Sequence, residues 1–320
     1  MSSLSITTRK SLMVFSGRAY PELADEVGKY LDVTVTPQSA YDFANGEIFV
    51  RFEESVRGSD AFLIQSCGVP INTWVMETLI MIDALKRASA KRITVVLPFY
   101  PYARQDKKHR GREPISARLI ADLLKTAGAQ RLMTVDLHTD QIQGFFDVPV
   151  DHLFASSIFV PYLKKMNYPN LTMASPDTGG TRRVATYAKF LGTDFVICYK
   201  QRGKPNEVTK MALVGDVKGR DVILVDDIVD TAGTLTKAAT IIMDNGANSV
   251  RAMCTHPIFS NNALERIEKS PILEMVVTDT IPLKKESNKV KVLSTASLFA
   301  EVIKRVESHE SISSLFKFGE

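Results

Sequence analysis

The chain reads as an α/β protein of two domains, each a mostly parallel sheet flanked by helices. Three observations predict this. Short β-branched runs alternate with longer helical patterns from end to end. A length of 320 residues with 45% hydrophobic content suits two cores of ordinary size better than one. The order strand, polar loop, helix, turn, strand occupies Ala61–Leu97 and recurs over Asp221–Cys254.

Taken in order, the strand runs are Leu12–Phe15, Ala61–Gln65, Ile93–Leu97, Leu132–Val135, Leu171–Ala174, Phe195–Tyr199, Val222–Val225 and Val250–Cys254. Helical patterns cover Thr73–Arg87, Ile115–Ala127, Ala155–Met166, Thr181–Leu191, Gly233–Asn245 and Leu298–Val306, several ending near a Gly or Asn suited to a left-handed cap. Pro114 is expected in a first helical turn. The domains are expected to join around Asp151–Ser156. This gives an N-terminal domain over 1–153, a C-terminal domain over 154–307 and a tail over 308–320 that packs back on the N-terminal domain.

Composition narrows the function. With 40 basic against 36 acidic residues the formal charge is only +4, which supplies no general field for nucleic acid, so any anion binding must be local. Cys67, Cys198 and Cys254 are odd in number and far apart, which disfavours a disulfide framework or a zinc site and fits a reducing, cytoplasmic compartment. Residues Met1–Lys10 are polar, and no apolar run approaches the roughly 20 residues that span a bilayer. A soluble protein with no membrane partner is expected.

The sharpest motif runs from Val222 to Thr234: a buried strand that carries Asp226 and Asp227 into the small-residue loop Asp230-Thr231-Ala232-Gly233-Thr234, which then opens a helix. Backbone N–H groups at a helix start suit a phosphate monoester. Paired carboxylates repel a bare phosphate, yet they accept hydrogen bonds from the vicinal hydroxyls of a sugar. A sugar phosphate satisfies both halves. The plainer reading, a strand end with an N-capping Asp or Thr, leaves the full thirteen-residue pattern without a reason.

Other stretches have chemistry without so clear a purpose. Ser175–Arg183 follows a strand and opens a helix, with Gly179 and Gly180 letting backbone N–H groups approach an anion. Pro98–Arg112 interleaves aromatic and basic residues, a pattern that can bind RNA, but it is short and the near-neutral chain lends it no support. Asp42–Glu47 reads as a tight turn. Tyr199–Glu207 reads as an exposed basic tongue, with alternation placing Lys200 and Arg202 on one strand face. Neither G-x-x-x-x-G-K-[ST] nor G-x-G-x-x-G occurs, which argues against an ordinary nucleotide-binding loop.

The Asp226–Thr234 segment resembles the phosphoribosyl diphosphate loop of the type I phosphoribosyltransferase fold. The run Asp136–Asp151, DLHTDQIQGFFDVPVD, resembles a signature of the ribose-phosphate diphosphokinases, of the phosphate-activated type, that salvage phosphoribosyltransferases lack. The resemblance covers nearly the whole chain and implies two tandem phosphoribosyltransferase-like domains. It also implies transfer of diphosphate from ATP to ribose 5-phosphate with Mg²⁺, giving phosphoribosyl diphosphate and AMP.

Residue roles follow from the same resemblance. Arg104 and Gln105 match an ATP loop. Phe43, Asn45 and Glu47 match residues that clamp adenine from a neighbouring subunit, so a dimer-based, hexameric homo-oligomer is implied. Asp177, Thr178, Gly179 and Gly180 match a diphosphate loop in which Asp177 meets Mg²⁺. Lys200 and Arg202 match a catalytic flap. Asp136 and His138, two apart at a strand end and so expected on one face, would meet a Mg²⁺-bound triphosphate, with His138 acting through water or on phosphate. Asp147 and Asp151 are weaker metal candidates that also suit caps or turns. Ser55, Arg57, Arg112, Ser311, Ser313 and Phe316 match a regulatory region where phosphate activates and ADP inhibits.

Two positions depart from the family's habit. Ala232 stands where Cys or Gly is usual, with little effect expected because the loop works through its backbone; His109 stands where Asp is common. A salvage phosphoribosyltransferase would leave Asp136–Asp151 and Arg104–Gln105 without purpose. An inactive regulatory relative is disfavoured by intact Lys200, Arg202, His138 and Asp177, and a transcription regulator by the want of a DNA-binding module.

Overall fold

The structure, a computed structural model, describes residues 12–201 and 210–316. The chain divides into two compact units, one ending at Leu153 and rejoined by Phe299–Glu310, the other running over Phe154–Leu298 and resuming at Ser311.

In the first unit the order is β1 (Leu12–Ser16), α1 (Pro21–Leu31), β2 (Gln38–Asp42), β3 (Ile48–Phe52), β4 (Asp60–Ile64), α2 (Ile71–Arg87), β5 (Arg92–Val96), α3 (Ser116–Ala127), β6 (Arg131–Val135) and β7 (Val150–Leu153). Strands β1, β4, β5, β6 and β7 form a five-stranded parallel sheet in that order. The chain leaves β1 through α1 and makes a parallel bridge between Val14 and Val35 on one side, then returns after the β2–β3 hairpin to pair β4 on the other. A doubly wound sheet opens a crevice at such a reversal, here beyond the carboxyl ends of β1 and β4. The core is built from sheet residues such as Phe15, Leu63 and Val95 against Met81, Ile82 and Leu85 of α2 and Ile120 and Leu124 of α3.

The second unit contains α4 (Ser156–Met166), β8 (Leu171–Ser175), α5 (Thr181–Leu191), β9 (Asp194–Gln201), β10 (Lys210–Val214), β11 (Asp221–Val229), α6 (Gly233–Asp244), β12 (Ser249–Pro257), α7 (Ala263–Lys269), β13 (Ile272–Thr278) and β14 (Val290–Leu293); the last helix, α8, spans Ala296–Glu307. Its seven-stranded sheet has the order β10-β9-β8-β11-β12-β13-β14, parallel except for the edge strand β10. The strand order reverses between β8 and β11. The two phosphate-type motifs of the sequence leave the carboxyl ends of those two strands, where ligands of open α/β sheets bind.

All eight predicted strand runs and all six helical patterns form. Asn167 and Gly192 adopt the left-handed conformation after α4 and α5, at φ 49° and 65°. Helix α6 differs in detail: Asn245 has φ −90° and Gly246, at φ 88°, turns the chain. The hairpin strands and β7, β10, β13 and β14 are additions to the predicted set. Pro114 lies outside α3, which starts at Ser116; the Ala117 N–H in its first turn donates to the carbonyl of Gln105 at 3.2 Å.

Chain ends differ from expectation too. Phe299–Glu310 group with the first unit rather than the second, where Glu307 lies 3.5 Å from Arg92 of β5. From Ser311 the chain groups with the second unit, and the 3-10 turn Ser313–Phe316 lies against α4. All three cysteines are buried and free; burial raises the Cys67 thiol to about 12 and the Cys198 thiol to about 11. Among the described residues, no helix is long and apolar enough to cross a membrane.

Candidate functional site

In the second unit β11 runs farther than predicted, so Asp226 and Asp227 belong to the strand and the loop proper is short. Asp226 pairs in register with Cys254 of β12, and the Asp227 N–H donates to its Oδ1 at 3.0 Å. Asp227 is 4% exposed. Two neighbouring carboxylates at a dry strand end repel each other. Burial, reinforced by the charge of Asp227, holds the Asp226 carboxyl well above the ordinary carboxylate range.

One cation opposes this. Arg183 Nη1, from the first turn of α5, lies 3.1 Å from Asp227 Oδ1 and 3.6 Å from Asp226 Oδ1. Arg183 closes the Ser175–Arg183 motif, whose pattern alone assigns it no role. The signal was there: an arginine in the first turn of a helix, against the favourable order of charges on the helix dipole, requires a reason.

The loop beyond is fixed at both sides. The carbonyl of Asp230 accepts from Ser260 N–H at 2.9 Å, and the carbonyl of Thr231 accepts from Arg266 Nη1 at 2.9 Å. Ala232 is the N-cap of α6 with φ 59°, and its methyl offers no acceptor to the first-turn N–H groups. Gly233 and Thr234 begin the helix, so the start of α6 suits an anion. The backbone at residue 232 matters more than the sequence suggested, since the left-handed region penalises any side chain.

At the neighbouring loop Asp177 Oδ1 accepts from Gly179 N–H at 2.8 Å and Gly180 N–H at 3.3 Å, so the anion these glycines approach is that loop's own carboxylate. Thr178 is exposed at the loop tip. A Cβ on Gly180 would strike the Ser175 hydroxyl, which donates to the Asp177 carbonyl at 2.6 Å. Arg183 thus ties the helix behind this loop to the acids of β11.

The first unit gathers a second set. Thr139 Oγ1 donates to Asp106 Oδ2 at 2.9 Å, joining the Asp136–Asp140 loop to the loop of Arg104 and Gln105. Strand β6 ends before Asp136, whose φ is 40°, so the expected strand alternation of Asp136 and His138 does not extend to them. A left-handed aspartate is a strained position of the kind found at functional sites. The Leu137 N–H between them donates to His152 Nε2 at 3.0 Å, which anchors the loop to β7. Arg104 and Gln105 are exposed, and Gln105 Oε1 accepts from Ser116 Oγ at 2.6 Å, which fastens this loop to the start of α3.

Asp42–Glu47 does form a tight turn, with Phe43 N–H bonded to the Glu47 carbonyl and Asn45 Oδ1 accepting from Glu47 N–H at 3.1 Å. Phe43, 46% exposed, packs edge-on to Tyr41 and Phe49. Asp147 pairs with Lys125, and both Asp151 oxygens accept from Arg131 Nη1 at 2.8 Å. Lys200 lies on β9 in register with Met211, but its side chain and Arg202 lie outside the described residues.

Of the regulatory set, Ser55, Arg57 and Arg112 are exposed in the first unit, with Arg57 Nη1 3.2 Å from Ser89 Oγ. Ser311 and Ser313 belong to the second, where Ser311 Oγ accepts from Ser313 N–H at 3.3 Å; the Phe316 side chain lies outside the described residues.

The donor set fits Mg²⁺. The first unit offers the carboxylate of Asp136, and the second those of Asp177 and of the crowded Asp226–Asp227 pair. Among the described residues no three His, Cys, Asp or Glu side chains gather into a ready-made metal cluster.

Comparison with known proteins finds clear relatives. Residues 12–128 match the family described as the N-terminal domain of ribose phosphate pyrophosphokinase, and residues 193–317 match the phosphoribosyl synthetase-associated domain. The chain is 54% identical to a ribose-phosphate pyrophosphokinase of Mycobacterium leprae, over 96% of each chain. It is 54% identical to one of Streptomyces avermitilis, over 99% of each. The crystal structure of phosphoribosylpyrophosphate synthetase from Mycobacterium smegmatis superposes with a TM-score of 0.90 at 52% identity, covering 94% of this chain and all of that one.

Proposed function

The chain belongs to the ribose-phosphate pyrophosphokinase family, and on that basis we propose that it transfers diphosphate from ATP to the C1 hydroxyl of ribose 5-phosphate, giving phosphoribosyl diphosphate and AMP. The observation that carries the reading is the end of β11, where two acids and a helix start stand side by side. Asp226 and Asp227 accept from the ribose hydroxyls. Asp230, Thr231, Ala232, Gly233 and Thr234 hold the 5-phosphate through backbone N–H groups and hydroxyls.

Asp177, Thr178, Gly179 and Gly180 receive the diphosphate, with the Gly179 and Gly180 N–H groups passing from Asp177 to phosphate oxygens. Phe43, Asn45 and Glu47 hold adenine; Arg104, Gln105 and His138 hold the triphosphate. Arg104 forks onto phosphate oxygens, a geometry that lysine lacks. Asp136 in the first unit, with His138 on phosphate or water, and Asp177 in the second are each a carboxylate that would hold Mg²⁺, which supplies positive charge to phosphate oxygens. Asp147 and Asp151 are left to their ion pairs.

Little covalent help is needed in such a transfer, since alignment and cations that meet the developing charge do most of the work. The C1 hydroxyl attacks the β-phosphorus, its proton leaves to solvent, and AMP departs. Lys200 and Arg202 neutralise the transferring group. A cytoplasmic, dimer-based and hexameric enzyme, activated by phosphate and inhibited by ADP through Ser55, Arg57, Arg112, Ser311, Ser313 and Phe316, completes the proposal. Supporting it is 54% identity, over nearly the full length, to ribose-phosphate pyrophosphokinases.

Phosphorus NMR of the protein with ATP, Mg²⁺ and ribose 5-phosphate, with and without added phosphate, tests it. AMP and phosphoribosyl diphosphate should form together, faster with phosphate. Absence of both products under either condition would instead favour an inactive regulatory relative.

A further inference from the structure

The crevice at the strand reversal of the first unit is filled by protein. There the Arg18 N–H donates to Glu77 Oε1 at 2.7 Å, and Arg18 Nε donates to Glu77 Oε2 at 2.6 Å. Gln65 Nε2 donates to the same Oε1 at 3.0 Å, while Gln65 Oε1 accepts from the Ala19 N–H at 3.1 Å. Glu77, on α2, is completely buried. A side chain on Gly17 would collide with the Gln65 amide, so the crevice is closed around this network.

The outward end of the arginine does something else. Its Nη2 lies 2.6 Å from Oδ1 of Asp42, the last residue of β2. The base of the hairpin is tied down independently, by Phe15 against Phe52 at 4.7 Å between ring centroids and by Gln38 Nε2 donating to the Ser16 carbonyl. Near the tip, Arg18 reaches the residue adjoining Phe43. An exposed ion pair ordinarily contributes little because two flexible chains must be ordered to make it. Here the guanidinium is already fixed through Nε on a buried carboxylate that also holds the arginine's own backbone N–H, so its outer edge is presented to Asp42 at little further entropic cost.

We propose that Arg18 is a positioning residue for nucleotide binding: anchored on Glu77, it latches Asp42 and thereby sets the hairpin tip that carries Phe43, Asn45 and Glu47. The inference rests on the reading that those three residues hold ATP. It gives the first unit's crevice a purpose other than ligand binding.

Steady-state kinetics of Asp42→Ala, Asp42→Glu, Arg18→Ala, the Arg18→Ala/Asp42→Ala pair and Asn45→Ala tests it, with thermal unfolding alongside. Asp42→Ala should raise the KM for ATP by about fivefold to tenfold while the KM for ribose 5-phosphate and the kcat at saturating ATP stay within about twofold. Asp42→Glu should restore most of the loss, and the double variant should be no worse in KM for ATP than Arg18→Ala, because both remove one latch. Should Arg18→Ala fail to fold, having stranded Glu77, Asp42→Ala decides. A raised KM for ATP in Asn45→Ala with an unchanged one in Asp42→Ala overturns the latch and leaves the hairpin's role standing. Unchanged KM for ATP in both variants removes the hairpin's role and the latch with it. A lowered Tm in Arg18→Ala with unaltered ATP kinetics in Arg18→Ala and Asp42→Ala reduces Arg18 to a structural residue and also overturns the inference.

Discussion

Arg183 Nη1 stands 3.1 Å from Asp227 Oδ1, one guanidinium placed against a carboxylate that is almost fully buried. The same nitrogen is within 3.6 Å of Asp226, so a single cation holds two acids in place at the end of β11. Replacing Arg183 by Met should lower stability by about 2–4 kcal/mol, toward the lower side because the arginine is partly solvated. It should also raise the KM for ribose 5-phosphate more than that for ATP. Denaturant unfolding and the two KM values check this, and an effect confined to ATP would contradict the placement of the acids on the sugar.

Asp226→Asn separates stability from function. The native carboxyl holds its proton above the ordinary carboxylate range, while in the unfolded chain it ionises normally. Below that range both states are protonated and the parent keeps the full contribution. As pH rises above it the native state binds more protons than the unfolded one, so the parent loses stability until the native carboxyl itself ionises. The asparagine variant lacks this slope. Its Tm should therefore gain on the parent's from weakly acid to neutral pH even as activity falls. Parallel Tm curves across pH 4 to 8, a window chosen around ordinary carboxylate pKa values of roughly 4, would count against the raised carboxyl.

At Ala232 the test is steric. A β-branched side chain is a genuine outlier at positive φ, and this residue sits at φ 59° as the N-cap of α6. Ala232→Val should destabilise the protein by about 1–3 kcal/mol and weaken ribose 5-phosphate binding by distorting the loop. Ala232→Gly should leave ribose 5-phosphate binding close to the parent's. Isothermal titration with ribose 5-phosphate and thermal unfolding distinguish the two.

For Lys200 the expected signature is kinetic. If its charge is met by substrate only as diphosphate transfers, Lys200→Ala should lower kcat by about a hundredfold or more, the scale of a lost transition-state donor, with smaller changes in KM. An unchanged kcat excludes the role.

Much of the architecture was legible because it is written in period. The buried runs Ile93–Leu97 and Val222–Val225 permit little but parallel strands, and their alternation with amphipathic helices predicts the sheets. Strands that escaped reading lack that signal: β7 is Val-Asp-His-Leu, and β14 is Val-Lys-Val-Leu with two exposed lysine and valine positions in its middle. The acids of the candidate site were readable as residue types, but their setting was not. Whether Asp136 continues a strand depends on one backbone angle that tertiary packing fixes. That Arg183 faces Asp227, or that Arg18 spans Glu77 and Asp42, depends on contacts between segments 24 to 59 residues apart. No local pattern encodes those.

The three buried thiols give each unit an internal reporter. Cys67 lies in the first unit; Cys198 and Cys254 lie in the second, Cys254 with its Sγ 3.4 Å from the carbonyl of Asp227. Alkylation requires a thiolate in contact with solvent, and burial suppresses both. The rate at which each cysteine is modified therefore counts openings of its own surroundings. Cys254 would be protected by whatever steadies the end of β11, while Cys67 would not respond, so the two rates separate an event in one unit from an event in the other.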